Sequence, residues 1–204
     1  MTVVDDLRAS SRVHRRNAGR QFRYPAVVRT GQPTRADPSI AIAPADYRSA
    51  MRNIAAAVTV VTTATNRGRQ GLTVTAVTSV SADPPQLLVC INRKTRSAAA
   101  ISATGQFGVN YLDAGHAELA AVFAGPTDDH EERFRLARWV DSPTGTPLLQ
   151  DALVAFDCSV VNEIHSGTHT IFIGQVADIR ARDGHPLLYQ HGAFTTTGPH
   201  PGPA

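Results

Sequence analysis

The sequence predicts a mainly β fold, an antiparallel barrel with helices at its periphery. One observation is residues 71–92, GLTVTAVTSVSADPPQLLVCIN, where hydroxyl and aliphatic residues alternate before a Pro-Pro turn leads into an apolar run. Alternation with a period of two is typical of a strand with one buried face. The other is that about six or seven β-rich segments, several joined by hairpin turns, do not form βαβ units, which argues against a Rossmann sheet.

The predicted body begins near Pro44 with a helix over Ala45–Ala57, because Tyr47, Met51 and Ile54 recur on one helical face. The segments that follow alternate between β-rich runs and amphipathic stretches. They predict a strand over Val58–Ala64, a turn at Asn66-Arg67-Gly68, strands over residues 71–81 and 87–91 joined at Asp83-Pro84-Pro85, a helix over Thr95–Ala103, a strand over Phe107–Leu112, and helices over His116–Phe123 and Thr127–Arg135.

Strands dominate the rest of the body. The last helix before them is expected to be capped by Thr127 or Asp128, with Glu131 placed for a capping box. A Gly-containing turn between two β-rich runs predicts a hairpin. The predicted strands are Leu153–Ile164 and Thr168–Arg180, joined across His165-Ser166-Gly167, and then Leu187–Tyr189 and Ala193–Thr195.

The charge divides the chain into a basic extension and a nearly neutral body. Residues 1–43 hold eight arginines against three aspartates, a balance of +5, and the remaining residues balance at −2. We therefore expect a basic, flexible extension over 1–43, one domain over 44–197, and a Pro/Gly tail over 198–204. The extension has no aromatic residues interleaved with its charge in a binding motif, so a nucleic-acid partner is not favoured.

The bulk composition indicates a soluble protein of the cytoplasm. No apolar run is long enough to span a membrane, and the N-terminus has no apolar core of the kind that a signal peptide contains. Cys90 and Cys158 both lie in apolar, strand-like runs, which favours buried thiols over a disulfide.

Motifs of the common enzyme classes are missing from the sequence. It contains no P-loop, HExxH, CxxC or Gly-x-Ser-x-Gly motif, and the Gly pair at 105 and 108 precedes a strand instead of following one. His165 and His169, together with the acidic run 128–132, are candidate metal ligands. Their spacing gives weak support, and negative charge at the start of a helix has a simpler explanation, so no metal is expected.

An anion site has better support. Thr78, Ser79 and Ser81 end the hydroxyl-rich strand, and residues 92–97, NRKTRS, end the next strand and open a helix. Helix N–H groups, hydroxyls and a guanidinium together bind phosphate, although an ordinary helix cap with solvated arginines explains the same residues. A flavin mononucleotide fits such a wall, since it is flat, forms hydrogen bonds and carries a phosphate.

At these residues the chain resembles the short-chain flavin reductases, the reductase components of two-component flavin-dependent monooxygenases. The resemblance covers about residues 46–195 and rests on pieces in the same order. They are RSAMRNIAAAVTVVTT, GLTVTAVTSVSADPPQLLVCINR, FGVNYL, FAG, PLL and GTHTIFIGQV.

The resemblance implies an FMN-binding split β-barrel that forms a homodimer, binds FMN or FAD and is reduced by NADH or NADPH. It implies that flavin is held along the hydroxyl-rich strand, with its phosphate near the next helix. The residues implied are Thr73, Val74, Thr75 and Ala76 at the ring edge, Ser79, Val80 and Ser81 toward the ribityl chain, Asn92, Arg93 and Ser97 at the phosphate, and Cys90 and Ile91 under the ring.

The reaction implied is hydride transfer from nicotinamide to flavin, which needs stacking and exclusion of water but no catalytic triad. His169 and Phe123 are expected near the nicotinamide. Two departures from the family pattern stand out: Thr168 replaces the acid of its Gly-Asp-His motif, and Phe194 replaces a frequent tyrosine. Two other functions stay open, a barrel that retains its flavin and oxidises its own substrate, and a non-catalytic flavin- or haem-binding module.

Overall fold

The computed structural model describes residues 42–127 and 129–198. The predictions for residues 1–41, for Asp128 as a helix cap and for most of the C-terminal tail lie outside the described residues. The elements, in chain order, are α1 (Pro44–Met51), β1 (Ala56–Ala57), β2 (Thr59–Thr65), β3 (Gly68–Val74), β4 (Val77–Ala82), β5 (Pro85–Asn92), α2 (Arg96–Thr104), β6 (Gln106–Tyr111), α3 (Ala117–Ala124), α4 (His130–Arg133), β7 (Trp139–Asp141), β8 (Pro147–Leu149), β9 (Val154–Ser166), β10 (His169–Ala181), β11 (Leu187–Gln190) and β12 (Ala193–Thr196), with single 3₁₀ turns at Ala114–His116 and Phe134–Leu136.

A seven-stranded antiparallel sheet forms the body, in the order β3-β2-β6-β9-β10-β5-β4. Its two edge strands, β3 and β4, are consecutive in the chain and are separated by Thr75 and Ala76 alone. The sheet must therefore curl until its edges approach each other, which closes it into a barrel. The amide of Cys90 on β5 donates to the carbonyl of Ala76 at 3.0 Å and extends the pairing up to this junction. The predicted antiparallel barrel with peripheral helices is confirmed.

Two smaller sheets flank the barrel. In one, β11 pairs with β1 on one side and with β12 on the other; in the second, β7 pairs with β8. The β7–β8 hairpin was not among the predicted strands, because each of its strands is only three residues long. The long β9–β10 hairpin was predicted, and Gly167 at its turn has φ +54°, a conformation that favours glycine.

Three predicted elements differ from the structure. The expected single strand over 71–81 breaks at Thr75-Ala76. The first helix ends at Met51, six residues before the predicted end, because Ala56 and Ala57 pair with β11 instead. The fourth helix is capped by Asp129, whose carboxylate accepts the N–H groups of Glu131 and Glu132, and it spans only His130–Arg133.

The apolar core has two parts. One fills the barrel and includes Phe107, Ile91 and Phe172. The other lies beneath α3 and includes Phe123, Phe134 and Leu148. The expected apolar face of the first helix belongs to neither part, because Tyr47, Met51 and Ile54 are 60%, 45% and 56% exposed. None of the described helices is long and apolar enough to span a membrane.

Candidate active site

The junction between β3 and β4 is the floor of a cavity of about 780 Å³. Thr75 and Ala76 form this floor, α1 forms one wall, and Tyr189 and Gln190 of β11 form another. Thr75 and Ala76 are both exposed, because the sheet pairing is interrupted at the point where the chain crosses from one edge to the other. The residues expected at the flavin ring edge therefore include two whose surfaces are open to a ligand.

A second cavity of about 510 Å³ adjoins the first and shares Thr75 and Tyr189 with it. Its lining is small or apolar. The lining residues beyond the shared pair are Val58, Thr73, Ala121, Ala124, Gly125, Gly192 and Phe194. Alanine and glycine at the end of α3 leave room for a flat ring against this wall.

The residues of β3 contribute to this site in different ways. The hydroxyl of Thr73 donates to the carbonyl of Ala120 at 2.7 Å, so it ties β3 to α3 while its side chain lines the second cavity. Val74 is only 7% exposed and packs in the barrel core. Adjacent strand residues point to opposite faces, so the side chain of Val74 cannot face the same ligand as Thr73 and Thr75.

The end of β5 brings Asn92, Arg93 and His169 together, although the first two were expected at the phosphate and His169 near the nicotinamide. His169 is the cross-strand partner of Asn92, and the amide of Arg93 donates to the carbonyl of Thr168 at 3.1 Å. The hydroxyl of Thr168 lies 2.9 Å from Nδ1 of His169, where the family pattern has an acid.

The two residues expected under the flavin, Cys90 and Ile91, face opposite sides of β5. Cys90 is partly exposed, whereas Ile91 is 1% exposed and belongs to the barrel core. Only Cys90 shares a strand face with Asn92, because strand residues alternate between faces. Burial raises the pKa of the Cys90 thiol. The expectation that the side chain of Ile91 lies under the ring is therefore corrected. This side chain packs in the barrel core and supports β5 from inside.

Helix α2 starts next to these residues. Thr95 is its cap and accepts the N–H of Ala98 at 3.2 Å, and Oδ1 of Asn92 accepts the N–H of Lys94 at 3.0 Å. The side chain of Ser97 is 2% exposed, so it packs inward in the first turn. Both interpretations of this segment, a cap and an anion site, use the same backbone geometry.

The hydroxyls of Ser79 and Ser81 do not converge with this end of β5. Ser79 pairs with Leu87, and Asn92 lies five residues further along the strand, about 17 Å away at roughly 3.3 Å per residue. Val80 is the extra residue of a β-bulge in β4. Ser79 and Ser81 line a separate cavity of about 160 Å³ near Tyr111. The predicted convergence of all the hydroxyls on one phosphate is therefore wrong within a single chain.

Phe123 lies in the core and not at the cavity surface. Its ring is 1% exposed and packs against Phe134 and Trp139 at centroid distances of 5.2 and 5.7 Å. The expectation that its ring meets the nicotinamide is corrected by this packing. Its neighbours Ala121, Ala124 and Gly125 line the second cavity instead.

Arg133 is a residue that the sequence analysis did not select. It is 6% exposed, and its guanidinium donates to the carbonyls of Phe123 and Gly125. These hydrogen bonds hold the end of α3 in place. Burial lowers the pKa of Arg133, and the pKa of nearby His130 is lowered first by burial and then by the charges of Arg133 and Arg96. A single arginine at the end of a four-residue helix gives no periodic signal, so only the fold reveals this role.

The candidate metal ligands do not form a group. His165 on β9 contacts its cross-strand partner Thr170 at 3.1 Å, and His169 contacts Thr168 in the turn. Because His169 and Thr170 are successive residues of β10, the two histidines lie on opposite faces of the sheet. Within residues 42–127 and 129–198, no three His, Cys, Asp or Glu side chains are placed to hold a metal ion.

The two adjoining cavities fit flavin chemistry. Ligand pockets usually measure about 300–1,000 Å³, with apolar walls and a few polar groups. Half of the residues that line the two cavities are alanine, glycine or aromatic, Arg48 and Arg52 are the charged ones, and Thr75 and Ala76 are exposed at the junction. A flat ring that seeks backbone hydrogen bonds suits this arrangement.

The comparison with protein families agrees with the geometry. Residues 51–198 match the family described as "Flavin reductase like domain". The chain belongs to this family, and its split-barrel fold and its class, an oxidoreductase, are confirmed.

Individual relatives support the same assignment. A protein of Ancylobacter novellus called FMN reductase (NADH) RutF is 44% identical over 150 residues, 73% of this chain and 82% of that protein. The solved structure of the flavin reductase PheA2 has a TM-score of 0.71 at 33% identity and covers 78% of this chain and all of its own. BorF, the flavin reductase component of a bacterial two-component tryptophan halogenase, has a TM-score of 0.71 at 29% identity, covering 76% and 99%.

Proposed function

We propose that this protein is an NADH-dependent FMN reductase whose reduced flavin leaves for a partner oxygenase. The observation that carries this proposal is the pair of adjoining cavities at the β3–β4 junction of a flavin reductase fold. The 44% identical relative is named for FMN and NADH, which favours this pair of substrates. Bound flavin accepts a hydride from the nicotinamide when the two rings stack.

The flavin would lie along the junction with its phosphate toward Asn92 and Arg93. Thr75 and Ala76 are exposed and would lie at the ring edge, and the partly exposed Cys90 lies beside them through the hydrogen bond from its amide to Ala76. The side chains of Val74, Ile91, Ser97 and Phe123 would support this surface from the core. Ser79, Val80 and Ser81 lie further along β4, away from this site. They would contact a flavin only if it were bound by the other chain of the proposed dimer.

We assign the catalytic contact to His169. It is exposed and is the cross-strand partner of Asn92, two residues along β5 from Cys90, and Thr168 contacts its Nδ1. His169→Ala should lower kcat for NADH oxidation several-fold, and His169→Asn should retain part of the rate if hydrogen bonding is what matters. An unchanged kcat in both variants would remove His169 from the site.

We propose a homodimer. Tyr47 and Met51 on α1 and Ile54 in the turn after it expose apolar surface, and apolar residues in such a row mark association surfaces. Met51 and Ile54 also line the first cavity, so the partner chain would border that cavity. Light scattering should give twice the chain mass for the wild-type protein and a shift toward monomer for Tyr47→Glu. A wild-type protein that stays monomeric at micromolar concentration would refute the dimer.

A cytoplasmic location is proposed as well, since NADH is made there and the thiols of Cys90 and Cys158 are unpaired. Cell fractionation tests it. Recovery of the protein in an oxidising compartment, with these thiols oxidised, would contradict it.

The test of the function is NADH oxidation by the purified protein with excess FMN, followed by gel filtration. We expect turnover proportional to the amount of protein and loss of FMN on the column. An oxygenase added behind a dialysis membrane should then receive reduced flavin. Turnover with flavin that stays bound through the column would instead identify a reductase that acts on its own substrate.

A further inference from the structure

The first cavity has a basic wall on its α1 side. Arg48 and Arg52 both line it, with Ser49 between them. Residues four positions apart lie on one helical face, about 6 Å apart, so the two guanidinium groups can approach the same ligand.

The charge of this wall is not neutralised nearby. The other lining residues are uncharged, and among residues 42–127 and 129–198 no carboxylate lies within 4.0 Å of either guanidinium. A cavity wall with two positive charges and no acid attracts an anion. Arginine in particular binds phosphate oxygens through paired N–H groups.

The fold fixes the position of Arg52. Its carbonyl accepts the N–H of His191 at 2.8 Å, and the side chain of Gln190 donates to the carbonyl of Asn53 at 2.8 Å. A Cβ placed on Gly192 would lie 2.5 Å from Nη2 of Arg52, so the guanidinium occupies the space that a side chain there would fill. The turn between β11 and β12 thus holds Arg52 at the boundary of the two cavities.

This basic wall is separate from the residues of the proposed flavin phosphate site. No residue of β5 or β10 is among those that line the first cavity, whereas Asn92, Arg93 and His169 lie on those two strands. One FMN has one phosphate, and a site for it is already proposed there. The α1 wall therefore suits the phosphates of a second nucleotide whose ring stacks at Thr75-Ala76.

We propose that Arg48 and Arg52 bind the pyrophosphate of the nicotinamide dinucleotide. This proposal rests on the proposed function and adds the residues that recognise the second substrate. The same chemistry, a pyrophosphate linked to AMP, also occurs in FAD, so the experiment compares the two dinucleotides.

The test is calorimetric binding to ligand-free protein, with NAD⁺, FMN and FAD as separate probes. The variants are Arg48→Gln, Arg52→Gln and the double variant. Arg67→Gln is the matched control, because Arg67 lies in the β2–β3 turn at the opposite end of β3 from Thr75, about 26 Å away at roughly 3.3 Å per residue. Melting temperatures check that each variant folds.

The double variant should weaken NAD⁺ binding about tenfold or more, as expected for the loss of charge-assisted hydrogen bonds to phosphate. FMN binding by the double variant should stay within about twofold, because FMN would not contact Arg48 or Arg52. Arg67→Gln should leave both affinities unchanged, because neither ligand would contact Arg67 and its charge is screened by salt over that distance. In steady state the KM for NADH should rise while kcat changes little.

Unchanged NAD⁺ affinity in the double variant would overturn the proposal. Weaker FAD binding with unchanged NAD⁺ binding would also overturn it, since the wall would then serve the flavin. A wild-type protein that binds NAD⁺ through these arginines but does not oxidise NADH with FMN would refute the proposed function and leave this subsite standing.

Discussion

The guanidinium of Arg133 donates to the main-chain carbonyls of Phe123 and Gly125, which lie ten and eight residues back along the chain. The carbonyl groups at the end of a helix have no partners within it, and a cation there is favoured by the helix dipole. Ala124 and Gly125 line the second cavity, so this contact couples a buried charge to the shape of the proposed ring pocket.

Replacing Arg133 by methionine should lower the free energy of unfolding by about 2–3 kcal/mol, because buried carbonyls lose charged donors. Urea denaturation measures the change. Arg135→Gln, on the exposed turn that follows, is the control and should stay within about 0.5 kcal/mol. Equal effects of both substitutions would show that Arg133 contributes only surface charge.

Gly71 on β3 should not tolerate alanine. A Cβ there would lie 2.7 Å from Cε1 of Phe123 and 3.3 Å from Cζ of Phe134. Overpacking of this kind costs about 1–3 kcal/mol, and it should also displace α3 from β3. Thermal unfolding measures the loss, and Gly71→Ala with Phe123→Leu should recover part of it. A single variant as stable as the wild type would mean that the aromatic cluster rearranges freely.

The two cysteines should differ in their reactivity toward iodoacetamide. Burial raises the pKa of Cys158 to about 12, and this residue is 0% exposed, so it should react only after unfolding. Cys90 is partly exposed, and burial raises its pKa as well, so its alkylation should be slower than that of a peptide thiol but measurable.

Bound FMN should protect Cys90, since the proposed flavin lies beside this residue. Peptide mass spectrometry after timed alkylation, with and without FMN, checks this expectation. Alkylation of Cys90 at the same rate in saturating FMN would place the flavin elsewhere.

Asp113 should make stability depend on pH in the acid range. The N–H of Gly115 and then the charge of Arg182 lower the pKa of this carboxyl. A folded pKa below the unfolded one stabilises the protein fully above the unfolded pKa, about 4, and the contribution disappears as the pH falls through the folded pKa.

Asp113→Asn should therefore be less stable than the wild type at neutral pH and equally stable in strong acid. The asparagine retains an acceptor for Gly115, so the comparison isolates the charge. Urea titrations of both proteins at several pH values measure the difference. A difference that stays constant into strong acid would assign the effect to packing.

The sequence predicts local pairing in this fold better than barrel closure. The β9–β10 hairpin and the helix capped by Thr95 follow from patterns within a few residues. The interruption at Thr75-Ala76 does not, because the alternation of hydroxyl and aliphatic residues continues through it. That interruption arises from the curl of the whole sheet, a tertiary effect which overrides the local period.

The same limit applies to the candidate site. Asn92 was predicted at the phosphate and His169 near the nicotinamide, and the structure makes them cross-strand partners, a proximity that the sequence did not predict. Tyr189 and Arg133 come from distant parts of the chain and were missed. Phe123 was misplaced because an apolar residue on a helix can face either the core or a cavity, and periodicity alone does not distinguish them.

The junction at Thr75-Ala76 has a consequence for how folding and binding are linked. The main chain that would hold the flavin is also the crossing that joins the two edges of the sheet. A partly folded chain with an open sheet therefore has no binding surface. Ligand should raise the stability of the complete barrel and leave unfolding cooperative, so that enzymatic turnover itself measures the fraction of closed molecules.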